Sequence, residues 1–140
     1  MTLSPIGAND PGLRDALCGA GLPVADLGDE PASFFALTDG ASIAYGGIAG
    51  VGADRLLRSV VVPEATRRAG IGSRIVAALA AEAKRDGTDR LWLLTTDAAD
   101  FFDRIGWHTV DRDTAPDAIR QSGQFASICP ASATLMVRDL

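Results

Sequence analysis

At 140 residues, the chain has the length of one ordinary domain, read here as a single unit over 1–140 with room for one core. Hydrophobic residues at 47% and charged residues at 22% are the composition of a folded globular protein and exclude a disordered or fibrous one. The net charge of −5 excludes nonspecific nucleic-acid binding, which needs a surplus of clustered Lys and Arg, so any anion must be held by local geometry.

No run approaches the roughly 18–20 apolar residues that span a bilayer, and the N-terminus lacks the basic-then-apolar pattern of a signal, so no membrane partner and a cytoplasmic location are expected. Cys18 and Cys129 stand far apart in the sequence and read as thiols. With one histidine, His108, and no carboxylates at ligand spacing, no metal is expected.

In chain order, a short strand at Thr2–Ile6 precedes "DPGLRDALCGAG", where Asp10 caps a helix, Pro11 takes its first position and Gly19 or Gly21 ends it. "SFFALTD" and "SIAYGGIAGVGA" flank Asp39-Gly40, a pair that favours the positive φ angles of a tight hairpin between antiparallel strands. Gly46, Gly47, Gly50 and Gly52 weaken the second of these strands, which points to a bulge or a close backbone neighbour. "RLLRSVVV" is a buried strand rich in β-branched residues, ended by Pro63, which cannot donate to a ladder.

From Ile71, apolar residues recur at Ile75, Val76, Leu79 and Ala83, one face of a helix, with Gly87 just past its end. "RLWLLTT" is another buried strand, and the helix before it makes a βαβ unit with parallel strands. "DAADFFDRIGW" reads as a short helix starting at Asp97 and stopping before Gly106, with Asp97 and Asp100 as capping carboxylates rather than a catalytic pair. His108 falls on a strand and faces solvent, "APDAIRQS" is a helical turn, and a last strand lies near 133–137. The fold class is α+β: a mixed, mostly antiparallel six- to seven-stranded sheet flanked by helices, with one parallel seam.

The stretch "RSVVVPEATRRAGIGSRIVAALAAEAKR" carries the chemistry. A helix that starts directly after a strand presents unpartnered N–H groups and the positive end of its dipole, and anions settle there. Gly70 and Gly72 allow close approach, and Arg67 and Arg68 supply charge-assisted hydrogen bonds to phosphate oxygens. A P-loop and a dinucleotide fingerprint need other glycine patterns and are excluded.

Arg67-x-x-Gly70-x-Gly72 at this junction resembles the coenzyme A pyrophosphate loop of the GNAT superfamily of N-acetyltransferases, and "DFFDRIGW" resembles the helix that follows in that family. The tail, through Pro116, Ile119, Arg120, Phe125, Cys129, Pro130, Ser132 and Ala133, resembles small acetyltransferases associated with arsenic resistance. The resemblance implies acetyl-CoA as cosubstrate, a small amino-acid-like amine as acceptor and direct attack in a ternary complex; a homodimer is common in the family.

The resemblance further implies that the strand carrying Val60, Val61 and Val62 splays from the strand over 91–95, so that pantetheine pairs with the backbone of Val60 and Val62. Arg67, Arg68, Ala69, Gly70, Ile71, Gly72 and Ser73 would then cradle the diphosphate. Many relatives carry a glutamate base and a tyrosine acid where this chain has Leu94 and Phe102. The remaining candidates are a water held by Thr95, Thr96 or Ser59, and Cys129 or Ser132 near the sulfur. Positioning alone can supply up to roughly 7–11 kcal/mol.

Arg58 and Arg120 are candidates for an acceptor carboxylate or oxyacid, with a structural ion pair or solvation as the alternative, and Tyr45 is a candidate wall of the acceptor pocket. A regulatory module that binds the coenzyme without turnover is the second functional reading.

Overall fold

A computed structural model describes residues 1–25, 27–28, 31–67, 70–122, 125 and 132–140. The elements are β1 (Thr2–Ile6), α1 (Pro11–Gly19), β2 (Ala32–Asp39), β3 (Ala41–Ala49), β4 (Asp54–Val61), α2 (Ile71–Arg85), β5 (Arg90–Thr95), α3 (Ala99–Arg104), β6 (His108–Val110), α4 (Asp117–Arg120) and β7 (Thr134–Asp139), with 3-10 turns at Glu64–Thr66 and Arg112–Thr114. Seven strands form one sheet in the order β1-β2-β3-β4-β5-β7-β6. Every seam is antiparallel except β4–β5, which is parallel because α2 returns the chain to the starting end of the sheet.

The caps follow from sequence chemistry. Asp10 accepts from the Leu13 amide at 3.0 Å with Pro11 beginning α1, and Gly21, at φ 70°, takes the chain out of that helix. Ile71, Ile75, Val76, Leu79, Ala80 and Ala83 form the buried face of α2, and each large member contributes about 1.5–3 kcal/mol. They pack with Phe35, Leu37, Ile48, Leu57, Leu91, Leu93 and Trp107 on one side of the sheet. On the other side, Leu13 and Leu17 of α1 cover Phe34, Ala36, Tyr45 and Val61, and Ile119 of α4 covers Leu56, Trp92 and Leu135.

Three expectations change in detail. Of the Asp39-Gly40 pair only Gly40 has a positive φ, 80°, because Asp39 remains in the ladder opposite Ala41. The third strand ends at Ala49, and Gly50 and Gly52, at φ 87° and 93°, make the turn into β4. The helix expected from Asp97 begins at Ala99. Arg55 closes the β3–β4 turn from within: its Nε and Nη2 donate to the carbonyls of Gly50 and Ile48 at 3.0 and 3.2 Å, with Asp86 at 3.6 Å from Nη1. Burial pushes its pKa below the ordinary arginine value, and the Asp86 charge partly offsets that.

The bulge anticipated from the glycines lies between β3 and β4. Tyr45 pairs with Val61 and Gly47 with Arg58, so Ser59 and Val60 together stand opposite Gly46. The two glycines make room on opposite faces: a Cβ on Gly46 would meet Leu79 Cδ1 at 2.5 Å, and one on Gly47 would meet the Phe34 ring at 2.7 Å. No helix among the described residues is long and apolar enough to cross a membrane.

Because Phe34 is buried at 3% exposure, its ring has little freedom to yield to an added methyl. Gly47→Ala is expected to lower stability by about 1–3 kcal/mol through overpacking, measured by urea denaturation.

Candidate functional site

The parallel seam closes for three residue pairs only, Asp54↔Arg90, Arg55↔Leu91 and Leu56↔Trp92. Beyond Trp92 the strands part: β4 continues to Val61 paired with β3, and β5 continues to Thr95 paired with β7. A fork inside a sheet leaves facing main-chain donors and acceptors without a ladder partner, an arrangement that costs stability unless water or a ligand satisfies them. Its cause is the bulge, which bends β4; Ser59 sits there at φ 56°, the one non-glycine positive φ among the described residues.

At the open end of the fork the chain leaves β4 through Val62 and Pro63, makes a 3-10 turn and enters α2. The Thr66 hydroxyl donates to Ile43 O at 2.7 Å, tying this connection to β3. Gly70 is the N-cap of α2 at φ 88° and brings no side-chain cap. The first-turn amides of α2 therefore have no intrahelical acceptor, and the space where a Gly70 side chain would stand is empty to 4 Å. Arg67 is exposed, and its Nη2 donates to Val62 O at 3.1 Å, which folds the guanidinium back along the loop.

Gly72 has a second reason to be small, because a Cβ there would stand 3.2 Å from Phe101 Cζ. The Phe101 ring thus seats α3 on the first turn of α2, and it meets Phe102 edge to face at 5.1 Å, which meets Trp107 in the same way at 5.6 Å. This docking was not read from the sequence, although an aromatic two residues into a helix and a glycine in the first turn of another were both visible.

Val60 and Val62 pack toward the α2 side, whereas Val61 and Arg58 lie on the α1 side. Ile71 is buried, and Ser73 is half-buried on the first turn of α2. Arg58 is buried at 4% exposure, its Cζ lies 5.9 Å from the Phe34 ring centroid, and its Nε donates to Ser59 Oγ at 3.1 Å. Tyr45 is buried against α1, with its hydroxyl beside Gly12. Arg120 instead clasps its own turn, donating to Ala115 O at 2.8 Å and to Asp113 O.

Thr95 is half-buried at the end of β5, and its Oγ1 accepts from the Ala98 amide at 3.0 Å. That amide belongs to Ala98, the N-cap residue of α3, which has no side-chain cap; Asp97, expected to cap the helix, is exposed together with Thr96. Asp100 is in the first turn of α3, as expected. Phe102 is buried and Leu94 is half-buried toward α4; Ser132 is exposed. Arg68, Ala69 and Cys129 lie outside the described residues, as does Pro130 of the tail.

A splayed parallel seam leading to a glycine-capped helix coincides with a family match: the profile of the Acetyltransferase (GNAT) domain fits residues 30–109. The chain belongs to the GNAT acetyltransferase family. Its activity class is accordingly that of an acetyl-CoA-dependent N-acetyltransferase.

Solved structures share the GNAT fold across the chain. Rv2747 from Mycobacterium tuberculosis, in complex with CoA and NLQ, superposes with a TM-score of 0.78 at 18% identity over 100% of this chain and 99% of that one. N-acetylglutamate synthase from Neisseria gonorrhoeae, complexed with coenzyme A and N-acetyl-glutamate, gives 0.75 at 19% identity over 100% of this chain, which spans only 35% of that enzyme. A GNAT-family acetyltransferase from Staphylococcus aureus Mu50 gives 0.74 at 13% identity over 99% of both chains. Among curated proteins none matches the sequence.

The bond from the Ala98 amide to Thr95 is open to a direct check. Thr95→Val keeps the shape and removes the acceptor for the Ala98 amide, and it should lower stability by about 1 kcal/mol, read as a shift in the urea midpoint.

Proposed function

We propose that the protein moves the acetyl group of acetyl-CoA to the primary amine of a small amino-acid-like acceptor, by direct attack in a ternary complex. The observation that carries this reading is the fork, where β4 and β5 stop pairing after Leu56↔Trp92 while each keeps its outer partner. An extended pantetheine has the hydrogen-bonding pattern to fill such a gap. Val60, Val61 and Val62 would line it, with the backbone of Val60 and Val62 making the bonds.

The diphosphate would rest on the first-turn amides of Ile71, Gly72 and Ser73, with Gly70 leaving the approach open and Arg67 closing over it. Arg68 and Ala69 belong to the same loop in sequence. Arg67 would exchange the Val62 carbonyl for phosphate oxygens, a charge-assisted bond for a neutral acceptor.

Acetyl-CoA supplies the activated acyl group; the work of the chain is to orient it and to receive the charge that develops. Backbone donors on β4, fixed before reaction by the bulge, are suited to the carbonyl oxygen. Leu94 and Phe102 cannot move a proton, and the Thr95 hydroxyl already accepts from Ala98. The amine proton would therefore leave through water at the mouth of the fork, beside Ser59 and Thr96, and orientation would carry most of the rate.

For the acceptor, Arg58 and Arg120 are the candidate carboxylate anchors, and Arg120 already donates to the carbonyls of Ala115 and Asp113. The likeness of the tail to arsenic-resistance acetyltransferases extends the acceptor class to amino acids bearing a second oxyacid group. A homodimer, a cytoplasmic location and a single functional unit over 1–140 complete the proposal.

Two measurements test it. Arg67→Glu places a like charge beside the diphosphate and should weaken coenzyme A binding at least about tenfold in calorimetry with the fold intact; unchanged affinity would take Arg67 out of the site. Thiol release should be followed with the common L-amino acids, each beside its α-carboxamide. The free acids are expected to exceed the amides in kcat/KM by about tenfold or more. Coenzyme binding with no turnover across that panel would replace this reading with that of a regulatory coenzyme-binding module.

A further inference from the structure

We propose that Arg67 couples the two ends of the coenzyme site: its guanidinium covers the Val62 carbonyl until a diphosphate draws it off, so that thioesters lacking the diphosphate are selected against. This rests on the proposed seating of pantetheine along Val60, Val61 and Val62 and of the diphosphate on α2. Arg67 Nη2 donates to Val62 O at 3.1 Å across the 3-10 turn Glu64–Thr66. Val62 stands one residue past Val61, the last paired residue of β4, at the open end of the fork. The contact therefore lies on the same main-chain carbonyl that an extended ligand entering the fork would use.

The turn between the two residues is pinned. The amides of Thr66 and Arg67 donate to Pro63 O and Glu64 O at 3.0 and 3.2 Å, and the Thr66 hydroxyl ties the turn to Ile43 O at 2.7 Å. The backbone of Arg67 is thus fixed, and what can move is its exposed side chain. Phosphate oxygens offer a guanidinium ionic, bidentate acceptors, which a single neutral carbonyl does not match. A carbonyl that already accepts from a cation is in turn a poorer acceptor for a second N–H, because the two positive donor ends repel each other at one oxygen. One side chain thereby links the two binding events, with an equal and reciprocal effect on each. A ligand with both parts engages α2 and opens Val62 together. Pantetheine alone must displace Arg67 with nothing to receive it.

The test uses the full chain and titration calorimetry with pantetheine, inorganic pyrophosphate and coenzyme A at constant ionic strength, so that neither acceptor nor turnover is needed. In the wild type, saturating pyrophosphate should tighten pantetheine binding about threefold or more. Arg67→Met keeps an aliphatic stem and removes the guanidinium. It should bind pantetheine about threefold tighter, bind coenzyme A about threefold or more weaker, and show no further gain with pyrophosphate. Wild-type pantetheine affinity indifferent to pyrophosphate, or pantetheine affinity unchanged or weakened in Arg67→Met, overturns the coupling; if coenzyme A affinity still falls in that variant, the diphosphate role of Arg67 stands without it. Coenzyme A affinity unchanged in Arg67→Met removes the arginine from the site, and this proposal with it.

Discussion

The structure depends on a parallel seam that is closed at one end and open at the other. Three residue pairs join β4 to β5, and the strands then diverge although each remains hydrogen-bonded on its outer side. Unpaired main-chain groups in the middle of a sheet each cost about 1–3 kcal/mol when buried. The fork is tolerated because both strands are anchored elsewhere, β5 by six residue pairs with β7, and because α2 and α3 cover the seam with a continuous apolar layer. The local device that opens it is small: two residues of β4 opposite Gly46, one of them at positive φ. Glycine at 46 leaves room on the other strand where Leu79 of α2 comes down onto that point.

Charge is handled just as locally. The chain carries a net charge of −5, yet the corner where β4 leads into α2 gathers main-chain amides, the positive end of a helix of 15 residues and an exposed arginine. Within a Debye length of roughly 8–10 Å these dominate the field that a bound anion experiences, and the distant carboxylates are screened. An acidic protein can therefore hold a polyanionic coenzyme without a basic surface. Arg55 and Asp86 occupy the opposite end of α2, where their pairing closes a turn.

Much of this was legible from residue patterns. The 3.6-residue period from Ile71, the β-branched run ended by Pro63, and the Asp10-Pro11 start each have a local cause, and each was found in place. The bulge was legible as a need, from four glycines in one strand region, but its owner was not. The displaced residue is Ser59 on the neighbouring strand, and positive φ at a serine has no signature in one sequence. The cap expected at Asp97 is missing for a related reason: α3 begins at Ala99 with Ala98 as an N-cap that has no side-chain bond, and where β5 ends the Thr95 hydroxyl accepts from the Ala98 amide instead. Arg120 shows the limit for long polar side chains, since two carbonyls within seven residues engage its guanidinium, and no spacing rule distinguishes that from a binding role.

The aromatic chain from Phe101 through Phe102 to Trp107 bears on what kind of catalyst this fold can be. Phe102 occupies the helix position where a phenol would stand in many members of the family, and it is turned into the core against Trp107. Its neighbour Phe101 seats α3 on Gly72 at the start of α2. The helix is thus employed in rigidity: it fixes the distance between the first-turn amides of α2 and the end of β5. On the proposed reading, such a site would gain rate by holding two substrates in register. Backbone position around it is set by the bulge at Ser59 and Val60 and by Gly46, Gly70 and Gly72, none of which titrates.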